Sequence, residues 1–97
     1  MPHVPWIGLG CYAQQNPKLL VYPTFPSYYT THESCIGQCS ALGYLYVGLE
    51  DGSDCSCGPE IKKPGKLAPD GAGGCNVTCT GNPDQICGGK SRVKILL

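Results

Sequence analysis

The side chains of this chain that are best able to do chemistry are its eight cysteines. Cys11 and Cys87 stand alone, and the other six form three close pairs, Cys35/Cys39, Cys55/Cys57 and Cys75/Cys79. An even number of cysteines at this density is typical of a disulfide framework in a secreted or cell-surface module. We therefore expect the thiols to be held in disulfides, which leaves none of them as a nucleophile.

Metal binding is the first alternative use of these side chains. Zinc sites usually contain a Cys-x-x-Cys pair, and this spacing is absent although His32 lies close to the cysteines in sequence. An acidic turn offers oxygen ligands to calcium, but it lacks the full ligand pattern, so a solvated hairpin tip is favoured. That turn contains Glu50, Asp51, Ser53 and Asp54. The sequence predicts no metal and no other cofactor.

Catalysis is the second alternative, and few residues could support it. The two histidines are His3 and His32, and His32 falls in the first turn of a predicted helix with no evident serine or cysteine partner. A pair of carboxylates for glycoside hydrolysis needs a cleft, and a domain of this size has little room for one. We predict that the chain is not an enzyme and has no catalytic residues.

Aromatic side chains are the second group with chemical potential, because sugar rings present apolar C–H faces that stack on aromatic rings. The chain has eight aromatic residues, more than the core of so small a domain needs. Tyr22, Phe25, Tyr28 and Tyr29 lie in or beside a proline-rich loop. These four are candidate carbohydrate-binding residues, and packing into the core is the alternative role for each of them.

Composition excludes other classes of protein. Seven basic and seven acidic residues cancel, and the lysines are scattered, so there is no basic face for nucleic acid. No apolar run approaches the ~20 residues of a membrane span. Residues 1–10 lack the basic start and cleavage site of a signal peptide, so we expect a mature or excised domain. A domain of this length has a small core and usually needs disulfides for stability.

The elements that position these residues can be predicted from periodicity and turn signals. Residues 7–12 alternate, which predicts a strand with Ile7, Leu9 and Cys11 on one side. Residues 14–27 contain three prolines and are predicted to form a loop, although an unusually apolar one. A helix is predicted to begin at a capping box of Thr30 and Glu33.

The same helix is predicted to end at Gly43, with Cys35, Cys39 and Leu42 on one face. Residues 44–50 then alternate, which predicts a strand with Leu45, Val47 and Leu49 on one side. Asp51-Gly52 predicts a hairpin turn into a second strand that carries Cys55 and Cys57.

The remainder of the chain is predicted to be mostly loop. Residues 60–74 indicate a surface loop, 75–79 a helical turn, and 82–84 and 88–89 further turns. Residues 91–97 predict a closing strand with Val93, Ile95 and Leu97 directed inward.

Cysteine spacing favours one disulfide pattern among many. Cys35 and Cys39 lie on one face of the helix about 6 Å apart, and the two strand cysteines share one face of the sheet at nearly the same distance. Parallel bridges Cys35–Cys55 and Cys39–Cys57 are favoured, but the crossed pairing stays open. Cys79–Cys87 would close a short loop and leave Cys11–Cys75. Eight cysteines allow 105 pairings, so this pattern is a geometric preference.

These motifs together resemble the WSC domain, a cysteine-rich extracellular module, over the range Ile7 to Leu97. The resemblance is carried by Gly10-Cys11-Tyr12, by Thr31, Cys35 and Cys39 of the helix, by Gly43-Tyr44-x-Tyr46-x-Gly48-x-Glu50, by Cys55-x-Cys57-Gly58, by Cys75-Asn76-x-x-Cys79-x-Gly81-Asn82 and by Cys87-Gly88-Gly89. It implies the disulfide pairing first with sixth, second with fourth, third with fifth and seventh with eighth. That pairing agrees with the geometric preference.

The resemblance also implies a function. WSC domains occur in fungal cell-wall stress sensors, beside secreted carbohydrate-active enzymes and in an animal Wnt-pathway receptor, and they are considered non-catalytic binders of wall polysaccharides such as β-glucans. Family members usually have aromatic residues where this chain has Asp51 and Ser56. Tyr12, Tyr44 and Tyr46 occupy framework positions of the family, which favours a structural role. Tyr46 is nevertheless kept as a fifth candidate for carbohydrate binding.

We therefore predict a small α+β domain over residues 7–97, with one main helix on a short antiparallel sheet, four disulfides, and an N-terminal extension over residues 1–6. It is expected in the secreted or cell-surface compartment, at the cell wall, with a polysaccharide as its partner. A protein partner or weak self-association through the same aromatic patch is the alternative. Asn76-Val77-Thr78 is a glycosylation sequence, and an asparagine that caps a local turn is the competing interpretation.

Overall fold

The computed structural model describes residues 7–24 and 27–97, which form one helix and two antiparallel sheets. In chain order the elements are β1 Gly8–Ala13, β2 Tyr22–Pro23, α1 His32–Ala41, β3 Tyr46–Glu50, β4 Asp54–Gly58, β5 Thr78–Cys79, β6 Asn82–Ile86 and β7 Arg92–Leu96. The larger sheet has the order β1-β7-β3-β4-β2, and β5 pairs only with β6. The predicted α+β class is confirmed.

Helix α1 covers one face of the larger sheet. Val47, Leu49 and Leu96 are buried on this face together with the cysteines of α1 and β4. Cys35–Cys55 and Cys39–Cys57 join the helix to the strand, with Cα–Cα distances of 5.7 and 5.4 Å. The parallel pairing is therefore confirmed, and the crossed pairing is excluded.

The opposite face of the sheet is covered by the proline-rich loop. Leu19 and Leu20 are buried there against Val93 and Ile95 of β7. Leu20 lies directly over Gly48, which explains why this loop carries more apolar residues than a solvated connection needs. The loop also contributes the two-residue strand β2, which adds to the edge of the sheet beside β4.

The remaining two disulfides hold the C-terminal half of the chain. Cys11–Cys75 ties β1 to the segment that follows a 3₁₀ turn at Gly71–Gly74, and Cys79–Cys87 closes the β5–β6 hairpin. Both pairings were predicted and are confirmed. In the chain-entropy model the long Cys11–Cys75 loop contributes about 4 kcal/mol by restricting the unfolded chain.

The helix begins one residue later than predicted. Thr31 is the N-cap, since its hydroxyl accepts from the Ser34 N–H at 3.0 Å and the Ser34 hydroxyl accepts from the Thr31 N–H at 2.9 Å. Thr30 cannot cap the helix because its hydroxyl binds two carbonyl oxygens elsewhere. Glu33 accepts from the Gln85 amide at both carboxylate oxygens, and this contact lowers the pKa of Glu33.

The last helical residue is Ala41, and Gly43 is the C′ glycine as predicted. The N–H groups of Gly43 and Tyr44 donate to the carbonyl oxygens of Ser40 and Cys39, at 3.0 and 2.9 Å. Leu42 was predicted to face the core and is instead 61% exposed, since it follows the last helical residue. Leu45 is 64% exposed because β3 begins only at the next residue.

The two ends of the larger sheet also differ from prediction. Ile7 was predicted to share one side of β1 with Leu9 and Cys11 but is exposed, because an irregular register between Gly8 and Gly10 interrupts the alternation of β1. Leu97 is partly exposed beyond the end of β7, whereas Val93 and Ile95 are buried as predicted. Ile7 and Leu97 exchange two backbone hydrogen bonds of 2.8 Å at this edge.

The segment around Cys75–Cys79 is extended, and the predicted helical turn is wrong. Val77 donates to the Gly88 carbonyl at 3.0 Å and accepts from the Cys87 N–H at 2.8 Å, which aligns this segment with the chain after β6. Asn82, Pro83 and Asp84 belong to β6, whereas a turn was predicted there. The turn lies at Thr80 and Gly81 instead.

The helix in the described part of the chain lacks the length and apolar character that crossing a membrane requires.

Replacement of Gly48 by alanine is expected to destabilise the domain. A Cβ at this position would lie 2.8 Å from the Ser56 hydroxyl oxygen and 2.9 Å from a methyl carbon of Leu20. Overpacking of this kind costs about 1–3 kcal/mol in the free energy of unfolding. Gly37→Ala is the matched control, because a Cβ there meets nothing within 4 Å. In an exposed helix interior it should stabilise by about 0.5–1 kcal/mol. Denaturant titration of the oxidised variants measures both effects, and equal effects would contradict the packing of Leu20 over Gly48.

Candidate functional site

Two adjacent tyrosines form the most exposed aromatic group in the described chain. Tyr28 is 87% exposed and Tyr29 is 82% exposed, on a turn between β2 and α1. Large aromatic side chains are seldom left so open in a domain that has an apolar core to fill. We call residues 27–30 the tyrosine turn.

The tyrosine turn is held to the rest of the domain by Thr30, which is only 3% exposed. The Thr30 hydroxyl lies 3.2 Å from the Ser27 carbonyl oxygen and 3.0 Å from the Ser53 carbonyl oxygen, so its proton is shared between them. Ser53 belongs to the tip of the β3–β4 hairpin. The turn is thus fixed to that hairpin by a buried polar contact.

The turn is also fixed to the β5–β6 hairpin. The Thr80 hydroxyl donates to the Ser27 carbonyl at 2.6 Å and accepts from the Thr30 N–H at 3.3 Å. Gly81 donates its N–H to the Thr30 carbonyl at 2.8 Å. A Cβ on Gly81 would collide with the Tyr29 carbonyl, so only glycine permits this close approach. The backbone beside both tyrosines is therefore held by hydrogen bonds to two hairpins.

A cavity of about 290 Å³ opens beside the tyrosine turn. It is lined by Tyr28, Ser27, Ser53 and Thr80. One aromatic ring beside hydroxyl groups is the combination that sugar recognition uses, because the ring contacts C–H groups and the hydroxyls exchange hydrogen bonds. The sequence alone did not indicate Ser27, Ser53 or Thr80 as carbohydrate-binding residues, because they are distant in sequence and only the fold brings them together.

Tyr22 lies at the other end of the same sheet edge. Its ring stacks on Tyr44 with centroids 4.6 Å apart and an angle of 18° between the planes. Partial burial raises the pKa of Tyr44, and the adjacent Tyr22 contributes in the same direction. Tyr22 pairs with Cys57, and the Ser27 N–H donates to the Ser53 carbonyl. Cys57 and Ser53 are four residues apart, so the Tyr22–Tyr44 stack and the tyrosine turn are separated along the edge by roughly 13 Å, at ~3.3 Å per residue.

The other aromatic candidates are placed differently. Tyr46 is partly buried and packs against the Leu19, Leu20, Val93 and Ile95 cluster, which gives it a structural contact. Phe25 lies outside the described residues, as does Trp6. Tyr28 and Tyr29 are thus neighbours on the tyrosine turn, whereas the Tyr22 ring stacks on Tyr44 and Tyr46 packs against the core.

A second cavity, of about 270 Å³, lies over the end of the sheet where the proline-rich loop crosses it, and we call it the sheet cleft. Its lining includes Gln14, Lys18, Leu20, Pro23, Thr24, Glu50, Asp54 and Ser56. Gln14 donates to the Glu50 carboxylate at 2.8 Å and accepts from the Leu19 N–H at 3.1 Å. Both cavities are at the small end of the size range of ligand sites.

The domain has no free cysteine thiol that could bind a metal. The groups of potential ligands that lie close together in the described chain are His32 with Cys79 and Cys87, and Cys35 with Cys39 and Cys55. All these cysteines are in disulfides. His32 Nε2 instead lies 2.6 Å from the Ile86 carbonyl oxygen. Asp51 and Asp54 of the acidic hairpin tip are exposed, and Gly52 between them is buried.

Comparison with known proteins identifies the family. The family model for the WSC domain matches residues 8–89. The chain belongs to the WSC domain family. The resemblance seen in the motifs is thereby confirmed, and the confirmed disulfides are those that the resemblance implies.

Several curated proteins contain a segment that is similar to this chain. A WSC domain-containing protein of Arthroderma benhamiae is 34% identical over 94 residues, which cover 93% of this chain and 10% of that protein. Kremen protein 2 of Homo sapiens is 37% identical over 95 residues, 96% of this chain and 20% of that protein. Xylosyltransferase oxt of Drosophila melanogaster is 32% identical over 89 residues, 90% of this chain and 10% of that protein. This chain spans 10–20% of the length of these relatives.

Asp51 and Ser56, where the resemblance led us to expect aromatic residues, lie in different surroundings. Asp51 is exposed at the tip of the β3–β4 hairpin, and Ser56 lines the sheet cleft. A serine there leaves the cleft open, since a large ring at this position would occupy part of it. The tyrosine turn is therefore the principal exposed aromatic surface in the described part of this domain.

Thr30→Val is expected to destabilise the domain and loosen the tyrosine turn. Valine has a similar shape but cannot donate to the Ser27 and Ser53 carbonyls, and the loss of buried hydrogen bonding costs about 1–3 kcal/mol in the free energy of unfolding. Thr30→Ser is the control, because it keeps the hydroxyl. Hydrogen exchange at the Gly81 amide, which bonds to Thr30, reports the local effect. Unchanged exchange and stability in Thr30→Val would show that the hydroxyl does not anchor the turn.

Proposed function

We propose that this WSC domain binds carbohydrate without catalysing a reaction on it, and that the tyrosine turn is its binding surface. The observation that carries this proposal is the pair of exposed tyrosines, 87% and 82% exposed, on a backbone fixed by Thr30. Exposed rings on a rigid support lose little conformational freedom when a ligand binds, which favours recognition.

The surroundings of the two rings favour a sugar. Hydroxyl-bearing Ser27, Ser53 and Thr80 line the adjacent cavity, so a sugar stacked on Tyr28 would have hydrogen-bonding groups at its rim. The cavity is small and open, and we expect weak binding at each site. A repetitive wall polysaccharide such as a β-glucan would compensate by offering many sites along one polymer.

The chemistry of the domain supports a non-catalytic role. Cysteines that form disulfides do not act as nucleophiles, and Glu50 in the sheet cleft already accepts a hydrogen bond from Gln14. We place the domain on the extracellular side of the cell or at the cell wall, since its disulfides persist in oxidising surroundings.

We extend the domain to residue 97, beyond the region that the family model matches. Strand β7 lies after residue 89, yet it sits between β1 and β3 and buries Val93 and Ile95. Removal of β7 would separate β1 from the rest of the sheet.

The proposed function predicts retention on an insoluble polysaccharide. The oxidised domain is incubated with β-1,3-glucan, chitin, xylan and cellulose, and the bound fraction is measured. Tyr28→Ala/Tyr29→Ala should lower the apparent affinity for the retained polymer about fivefold or more, since each ring stack is worth roughly 0.5–1.5 kcal/mol. Tyr28→Phe/Tyr29→Phe keeps the rings and should retain most of the binding.

Melting temperature is the control for folding in this experiment. Both side chains are exposed, so the alanine variant should melt close to the unchanged domain. Equal retention of the two proteins would exclude the tyrosine turn as the site. Lack of retention on all four polymers would argue against wall polysaccharide as the ligand.

A protein partner or self-association is the second candidate function, and a different surface favours it. Val21, Tyr22, Leu42 and Leu45 are exposed around the Tyr22–Tyr44 stack at the C-terminal end of α1. Exposed apolar residues that cluster in this way often mark protein interfaces.

Self-association through this apolar surface predicts concentration-dependent oligomers. Leu42→Ser/Leu45→Ser should abolish them, because it removes two large exposed apolar groups without touching the core. Sedimentation equilibrium measures the association, and Tyr28→Ala/Tyr29→Ala is the matched control on the other surface. A domain that stays monomeric at high concentration would rule out self-association and leave a different protein as partner.

A further inference from the structure

We propose that Asn76 is an N-glycosylation site of this domain. The chain contains a single Asn-x-Ser/Thr sequence, Asn76-Val77-Thr78. The proposal is independent of polysaccharide binding, because it requires only that the domain passes through a secretory route, as its disulfide framework indicates.

Both side chains that the modifying enzyme must reach are accessible. Asn76 and Thr78 are exposed, whereas Val77 between them is half-buried. Residues i and i+2 of an extended segment project to the same side, so Asn76 and Thr78 share the outward side and Val77 the inward one. The Val77 side chain packs against Gly52 of the β3–β4 hairpin. Its Cγ1 is so close that a Cβ added to Gly52 would lie only 2.9 Å from it.

The competing interpretation was an asparagine that caps a local turn. Among the hydrogen bonds of residues 7–24 and 27–97, none involves the Asn76 side chain. Asn82 shows the alternative arrangement, since its side-chain oxygen accepts from the Asp84 N–H at 2.9 Å. The extended shape around Asn76 is instead maintained by backbone bonds of Val77 to Gly88 and Cys87. A glycan on Asn76 would therefore displace no contact of the described fold.

The modification is a transfer of an oligosaccharide from a lipid diphosphate donor. The side-chain amide nitrogen of Asn76 forms a bond to the anomeric carbon of the sugar, and the bond between that carbon and the diphosphate oxygen breaks. The lipid diphosphate is the leaving group, and the amide nitrogen gives up one proton. The Thr78 hydroxyl is the recognition group of the acceptor sequence, and it is not consumed.

The test is to secrete the full chain from a eukaryotic host behind a cleavable leader and to measure the intact mass. We expect most molecules to be heavier than the polypeptide, and peptide-N-glycosidase should remove the difference and convert Asn76 to aspartate. Asn76→Gln and Thr78→Val should lack the added mass, and Thr78→Ser, which keeps the hydroxyl, should retain it. The intracellular precursor is analysed in the same way, so poor secretion of a variant still gives an answer.

Two results would overturn the proposal. One is an unchanged chain that is secreted, or accumulates as precursor, with the mass of the bare polypeptide. The other is added mass that persists in Asn76→Gln, which would place the modification elsewhere. Asn76→Gln should also melt within a few degrees of the enzymatically deglycosylated domain, because the Asn76 side chain makes no hydrogen bond in the described fold.

Discussion

The pair of parallel disulfides between α1 and β4 is the constraint on which the rest of the fold depends. An i, i+4 spacing on a helix and an i, i+2 spacing on a strand place two sulfur atoms at nearly the same separation, so two bridges fit without distortion of either element. Cys35–Cys55 and Cys39–Cys57 fix both the position and the direction of the helix on the sheet. A single bridge would leave the helix free to rotate about it.

The one α-helix of the described chain covers only one face of the sheet. The other face is therefore covered by a segment that is mostly loop. Leu19 and Leu20 do this, and glycine at position 48 allows Leu20 to approach the strand closely. The small domain thus obtains two apolar layers from one helix and one loop. The tyrosine turn follows directly from this arrangement, because the loop must return along β4 to reach the start of α1.

Local patterns were sufficient to predict much of this fold. A capping box and Gly43 predicted the helix, and Asp51-Gly52 predicted the β3–β4 hairpin, because each of these signals is set by residues close together in sequence. The spacing of the cysteines on those two elements then favoured the bridges between them. Thr30 shows where such reasoning fails. Its local sequence fits an N-cap, but carbonyl groups of Ser27 and Ser53 bind its hydroxyl and Thr31 takes over the cap. Contacts between distant segments also explain why the chain after Cys75 is extended, whereas a helical turn was predicted there.

The candidate site was predictable only in part. The sequence left open whether Tyr28 and Tyr29 are exposed or packed into the core, and the structure exposes both. The lining of the adjacent cavity comes from three separate loops, and nothing in the sequence near Ser53 or Thr80 signals that they meet. Tyr46 was a candidate that the structure does not leave free. Alternation along β3 does not reveal which segment covers its ring, and in the fold the core cluster covers part of it.

The reciprocal bonds between Ile7 and Leu97 have a mechanical consequence. The two ends of the domain lie side by side on antiparallel strands, so tension applied across them loads the β1–β7 ladder one residue pair at a time. Such a ladder opens like a zipper, at lower force than one sheared along its length. On the N-terminal side the opening stops at Cys11, which is bonded to Cys75, whereas β7 follows the last cysteine and can be pulled away completely. Under load the sheet would therefore lose its C-terminal strand while the helix and the tyrosine turn stayed cross-linked.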